Sequence, residues 1–502
     1  MDTVTLLLIF LVSCILCFYT WNSMYREQNL PPGPTPLPFL GNLLQLKTGK
    51  LVDCLSQMHK KYGDVYTLYL GPRRVVVLCG YDAVKEALVD NGEEFGFRGQ
   101  LPVIDLYTRR QGVIFSNGDQ WKELRRFTVM TLRSFGMGKR SIEERIKEEA
   151  LCLVEEFKRK NGEHFDPTYY FSQVASNIIC SIIFGNRFSY TDPDFRRFMR
   201  IIDEIFIGMS SPSGQLFDMF NVVMKYLPGP HHYAAKCAFQ LDKFVLERLE
   251  RDRKTLDPNR PRHMMDSFLI KMEEEKNNPS TYYNTENLLK NTSTMFVAGT
   301  ETLSTTLRHT FLLLLKFPHI KKKVQEEIDS VIGQDRAPEP EDRPSMPYTD
   351  AVIHEIQRYA NVLPMNLPRA VAKDTQFRGF TIPKGTDVFP ILTFVLRDPK
   401  YFPDPFTFNP DRFLDENGEF KKNEAFMAFS AGKRVCLGEG LARLELFTFI
   451  TTLLQHFNIS TPENPADMDI SPQMVGFSNV PKPYNISFNP RGISNGNMCR
   501  TK

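Results

Sequence analysis

Residues 429 to 438 read FSAGKRVCLG and present Cys436 in a glycine-containing turn just before an apparent helix, LGEGLARLELFTFITTLL. A sulfur placed there can serve as a thiolate ligand, because a loop feeding a helix start supplies backbone donors and the positive end of the helix dipole. Gly432 and Gly438 let the backbone come close to a flat ligand. A lone cysteine in an apolar setting is more often an inert structural residue, and on Cys436 alone that reading is the favoured one. A second run, Ala298-Gly299-Thr300-Glu301-Thr302, sets a helix-weakening glycine and three polar residues between TMFV and TFLLLLK, flanks whose composition calls for apolar packing. Something there tolerates polarity. A third, HEIQRYA, carries Glu355 and Arg358 three apart, a spacing that usually makes a surface ion pair worth only tenths of a kcal/mol.

Phe429, Gly432, Arg434, Cys436 and Gly438 together match FxxGxRxCxG at all five fixed positions, and the segment resembles the haem-binding signature of the cytochrome P-450 superfamily. A chance match in a chain of this length is on the order of one in several thousand or less. The resemblance implies haem b (iron protoporphyrin IX) with Cys436 as its axial ligand. It also implies roles for the other runs. Glu355 and Arg358 look like the ExxR element, and with Arg412 of FNPDRFL they would form a buried triad that locks the cysteine loop. AGTET is similar to the oxygen-activation segment, where Thr302 would bond back to the carbonyl of Ala298, offer its hydroxyl to dioxygen or a water, and receive protons through Glu301. Close helix packing with an incidental threonine is the bland alternative.

Haem carries two propionates, so cations must converge on it. WKELRRF supplies Trp121 and Arg125 in the family's pattern, while Arg98, Arg369 and Arg434 stand where relatives keep propionate partners. Arg98 and Arg369 could equally be solvated surface arginines. By the same analogy the substrate pocket draws on Ile114, Phe206, Phe296, Ala298, Val362, Leu363, Leu367 and Phe477, an apolar set suited to lipophilic molecules held by shape.

The elements that must bring these residues together are mostly helical. Helical spacing occupies about 120–160, 170–185, 236–255, 285–316, 319–332 and 348–360. VYTLYL (65–70) and RVVVLC (74–79), separated by Gly71 and Pro72, predict a small hairpin, and 364–435 reads as strands and irregular loop. The expected fold class is mainly α with small β-sheets, the cytochrome P-450 fold, with a long central helix over the haem and a single N-terminal transmembrane helix. No repeat or second linker divides the chain, giving an anchor over 1–25, a proline-rich linker over 26–42 and a haem-thiolate catalytic domain over 43–502.

Across 502 residues, 62 lysines and arginines against 59 acidic residues leave a net charge of +3, which makes no case for a nucleic-acid partner. Nine scattered cysteines do not make a secreted disulfide scaffold and point to a reducing compartment. From Thr3 to Tyr25 there is no charge, a stretch long enough to cross most of the ~30 Å hydrocarbon layer. Asp2 before it and Arg26 after it place the bulk of the chain in the cytosol. The sequons at Asn291, Asn458 and Asn485 should then stay unmodified.

Details such as PPGPTPLPFLGN and FSNGDQWKELRRF look like the microsomal family-two, drug-metabolising branch. The implied activity is monooxygenation: one atom of dioxygen inserted into lipophilic xenobiotics, steroids or fatty acids at the endoplasmic reticulum membrane. Electrons would come from NADPH through NADPH-cytochrome P-450 reductase, with a microsomal cytochrome b as a further partner, since no GxGxxG module lies in the chain. Lys122, Arg125, Arg126, Arg133, Lys139, Arg140, Lys421, Lys422 and Lys433 would form the docking face, though much of that set could be ordinary solvated surface. The alternatives are a haem-thiolate peroxide isomerase or lyase, against which Glu301 and Thr302 weigh, and a non-enzymatic haem-binding protein.

Overall fold

The computed structural model describes residues 29–46, 51–135, 140–474 and 478–491, with seven scattered positions before residue 20. All but those seven positions of the expected anchor, the first part of the linker, Lys139 and Phe477 therefore lie outside the described residues; among those described, no helix is long and apolar enough to cross a membrane.

The hairpin forms where the alternating runs place it: β1 (Val65–Leu70) pairs antiparallel with β2 (Arg73–Leu78), with Leu70 opposite Arg73. Gly71 turns the chain at φ +62°. The sheet then gathers pieces distant in sequence. β3 (Phe97–Arg98), β4 (Arg369–Ala370) and β5 (Asp387–Pro390) complete the order β1-β2-β5-β4-β3, with β5 parallel to β2. One consequence matters for the site: Arg98 and Arg369 become directly opposed neighbours.

The proline-rich segment is more than a spacer. Thr67 donates from its hydroxyl to Pro31 O at 2.8 Å and from its N–H to Pro32 O at 2.9 Å, and a Cβ at Gly33 would sit 2.0 Å from Thr67 O. Buried Asn42 closes the segment by accepting from Tyr69 N at 2.8 Å. Pro31 to Asn42 is thus a stiff strip docked along β1.

Helices build the body. The 120–160 segment is two of them, α1 (Gly118–Ser134) and α2 (Arg140–Arg159). They are followed by α3 (Thr168–Ile183), α4 (Pro193–Ser210) and α5 (Pro230–Lys254). The central helix, α6 (Thr285–Lys316), has 32 residues and is about 48 Å long. Asn284 caps it by accepting from Asn287 N at 2.9 Å. After it come α7 (Pro318–Val331), α8 (Pro347–Ala360) and α9 (Glu439–His456). The helix over 193–210 escaped sequence reading; its polar arginine-rich start hid a face of Phe195, Phe198, Ile202 and Ile205, all fully buried.

Close packing on α3 explains part of the odd run in α6. A Cβ at Gly299 would lie 2.5 Å from Ile179 Cδ1, and the Thr300 and Ser176 hydroxyls meet at 2.7 Å in the core. Asn291 is also buried, taking Val113 N at 3.0 Å, so its sequon cannot carry a glycan in the folded protein.

Candidate functional site

The cysteine loop is shaped by its glycine. Gly432 sits at φ +71°, and a Cβ there would come within 1.7 Å of Leu88 O, so no larger residue fits. A short 3-10 turn over Gly432–Arg434 leads to Cys436, whose N–H bonds Phe429 O at 3.1 Å. Burial pushes the Cys436 thiol up, while N–H groups of Gly438 and Glu439 at the start of α9, with Arg125 nearby, favour the thiolate. The side chain remains accessible although it lies deep in the protein, which is the setting of a ligand rather than of a packed core cysteine. Ala298 is likewise accessible in the middle of a helix otherwise buried nearly all round.

Beside the loop four guanidinium groups converge. Arg434 lies 3.8 Å from the Trp121 ring centroid and donates to Gly96 O, Ser116 O and Asn117 Oδ1 at 2.9, 2.8 and 2.7 Å. Arg98 donates to Ile114 O at 3.1 Å, Arg369 to Ser430 Oγ at 3.0 Å, and Arg125 to Val435 O at 2.8 Å. None of these acceptors is charged. Burial first, and then mutual repulsion, holds Arg98, Arg369 and Arg434 below the ordinary arginine range. Trp121 Nε1, Arg369 Nε and Arg434 Nη1 are buried donors with no acceptor. Such a set is costly for a protein alone and complete once carboxylates enter it. The propionates of haem fit. Arg98 and Arg369 are therefore not solvated surface residues. Asn117, Ser430 and Asn366, which orient these arginines, gave no sequence signal because each is a single polar residue in a loop.

On α6, Thr302 donates to Ala298 O at 2.7 Å, the back-bond expected of it. Thr305 donates to Glu301 Oε1 at 3.1 Å. Burial and the nearby Asp203 raise Glu301 to about 7.

Glu355, Arg358 and Arg412 do meet. Arg358 holds Glu355 through Nε and Nη2 at 2.6 and 2.8 Å, and Arg412 Nε reaches Glu355 at 3.1 Å. The other donors of both arginines go to carbonyls between Leu396 and Thr407. The triad thus fastens α8 to the 396–409 loop, and the cysteine loop is reached one residue away, through His354 and Arg443.

Of the pocket candidates, Ile114, Phe206, Val362, Leu363 and Leu367 are partly accessible. Phe296 is fully buried in an aromatic cluster with Phe184 and Phe198, at 5.1 and 4.9 Å. Among the cationic candidates Arg126, Arg133, Lys421 and Lys422 are exposed, while Lys122 pairs with Asp119 and Lys433 with Glu93.

Comparison with known proteins agrees with this arrangement. A family model described as Cytochrome P-450 matches residues 31–488. The chain is 53% identical over 477 residues to cytochrome P-450 2A5 of Mus musculus, covering 95% of this chain and 97% of that protein. It is 51% identical over 489 residues to cytochrome P-450 2A6 of Homo sapiens, covering 97% and 99%. Cytochrome P-450 2A3 of Rattus norvegicus is 53% identical over 477 residues, covering 95% and 97%.

Proposed function

The chain belongs to the cytochrome P-450 family and is a haem monooxygenase, and from that premise we propose that it inserts one oxygen atom into lipophilic substrates with electrons relayed from NADPH by a reductase. The observation that carries the reading is the cluster of buried, unanswered donors on Arg369, Arg434 and Trp121 beside the accessible sulfur of Cys436. Haem bound there supplies the redox chemistry, its electronics set by the thiolate. The chain supplies the rest. Cys436 holds the metal, Trp121 and the arginines 98, 125, 369 and 434 hold the propionates, and Phe429, Gly432 and Gly438 shape the loop against the macrocycle. Ala298 leaves room above it. The partly accessible apolar residues Ile114, Phe206, Val362, Leu363 and Leu367 would seat the substrate and exclude water.

Proton supply falls to Glu301 and Thr302. Glu301 keeps its proton up to about pH 7, and Thr302 Oγ1, a donor to Ala298 O at rest, can rotate to pass one on. Reductase would dock on the face bearing Arg126, Arg133, Lys421 and Lys422, with a microsomal cytochrome b as an alternative electron donor. Residues 1–25 would anchor the chain in the endoplasmic reticulum membrane.

The test is reconstitution with reductase, NADPH and a panel of lipophilic compounds, reading product. No oxygenated product from any compound, with haem and reductase intact, sinks the proposal. Thr302→Ala should keep the thiolate spectrum but divert electrons to hydrogen peroxide, lowering product per NADPH about tenfold or more. Coupling in the wild type should fall as pH rises through about 7, because the Glu301 proton is lost there, and Glu301→Gln should flatten that dependence. A Glu301→Gln profile identical to the wild type would remove Glu301 from the relay. Arg369→Gln should speed haem transfer to excess apomyoglobin roughly tenfold while making the haem-free chain harder, not easier, to unfold in urea.

A further inference from the structure

Behind the sulfur of Cys436 runs a chain of alternating charge that lies outside the haem-binding signature. Glu439, the first residue of α9, follows Cys436 by three positions and stands next to Gly438, where an added Cβ would lie 3.9 Å from Cys436 Sγ, so its carboxylate is the nearest anion along the chain to the sulfur. Arg443, one turn further along α9, donates from Nη2 to Glu439 Oε1 at 2.8 Å and from Nη1 to His354 Nε2 at 3.0 Å. Because Nε2 accepts, Nδ1 of His354 carries the ring hydrogen, and it faces Asp350, with the backbone O at 2.8 Å and the carboxylate at 3.2 Å. Asp350 is held in turn by Arg343 at 2.7 Å. His354 is itself fixed: it is buried among the rings of Phe413, Phe420 and Phe426, with centroids 5.6, 4.5 and 4.9 Å away. Arg443 also lies over Phe429, the first residue of the cysteine segment, at 5.6 Å.

An exposed glutamate–arginine pair four residues apart contributes only tenths of a kcal/mol to stability, which does not account for an arginine gripped by a buried imidazole. Its effect on a neighbouring charge is another matter. In a partly buried setting a unit charge is felt over several ångströms, and an anion beside a thiolate favours the oxidised, more positive iron.

We propose that Arg443, placed by His354, is a positioning residue that cancels the charge of Glu439 at the thiolate and so raises the reduction potential of the haem. The inference rests on Cys436 as the ligand. The experiment is a spectroelectrochemical titration of the haem-loaded protein, with the reduced carbonyl spectrum recorded for each variant. Arg443→Gln should lower the potential and Glu439→Gln should raise it, each changing the ferrous-to-ferric ratio at a fixed poise by roughly tenfold. The double variant should return close to the wild type, and Arg443→Lys should too. If both single variants move the same way, or neither moves while the thiolate spectrum is intact, the charge pair has no such role. Should Arg443→Gln fail to keep haem, Glu439→Gln and Arg443→Lys still decide. A wild type without the thiolate spectrum would overturn the ligand assignment instead.

Discussion

Replacing Cys436 by alanine abolishes the long-wavelength Soret band of the reduced carbonyl complex and takes product formation to background. The sulfur is accessible in the interior, receives two N–H groups from the start of α9 and has Arg125 at hand to favour the anion. Among the other described cysteines, Cys79, Cys180 and Cys237 are buried in the core, and Cys54 and Cys152 lie on helices away from the cysteine loop. Alanine leaves the cluster of arginines 98, 125, 369 and 434 in place, so by the proposed assignment some porphyrin should still enter, without the thiolate spectrum. Haem bound to the folded state alone adds stability by mass action, about 4 kcal/mol when free haem exceeds its dissociation constant a thousandfold. Weakened affinity in Cys436→Ala should therefore also lower the thermal midpoint relative to the wild type at equal haem. Both readings come from one preparation, by difference spectroscopy and thermal scanning. A band retained in Cys436→Ala would move the ligand to another residue.

What sequence reading could and could not reach follows from where the information lies. The cysteine loop was legible because its glycine, arginine and cysteine sit within a few residues of one another and so form a compact pattern, even though the carbonyl that Gly432 must clear belongs to distant Leu88, 1.7 Å from an added Cβ. The central helix was legible to the residue, 285–316, because a long apolar run between a capping asparagine and a lysine has few other readings. Arg98 and Arg369 were ambiguous for the opposite reason. Nothing near either residue demands the other; only a short antiparallel pairing between segments some 270 positions apart sets them face to face. His354 and Arg443 stayed invisible likewise, since their contact crosses from α8 to α9. Polarity in AGTET divided into two parts: Gly299 and Thr300 serve packing on α3, and Glu301 and Thr302, which make no such contact, are the pair proposed for proton supply.

Glu355→Ala should cost about 3–5 kcal/mol, the usual penalty for stranding a buried charge. Glu355 and Arg358 are both fully buried. All five N–H bonds of the Arg358 guanidinium are used: three lines run to the carbonyls of Leu396, Pro405 and Thr407, and two to Glu355. Glu355 further accepts from Asn409 N at 2.9 Å and from Arg412. Lysine offers three donors on a flexible stem and cannot reproduce this fork, so Arg358→Lys should lose nearly as much as alanine. A buried ion pair can often be exchanged for apolar residues without loss, and that gives the discriminating variant. Here Glu355→Leu with Arg358→Leu removes both charges yet orphans the three carbonyls and Asn409 N, so the pair should remain as unstable as the single variants. Against a typical total of about 5–15 kcal/mol, such losses should show as a lower urea midpoint at unchanged slope and as reduced haem content after purification. A double variant restored to wild-type stability would mean that the triad matters for its charges alone, and Glu355→Ala within about 1 kcal/mol of the wild type would mean that it does not fasten the 396–409 loop at all.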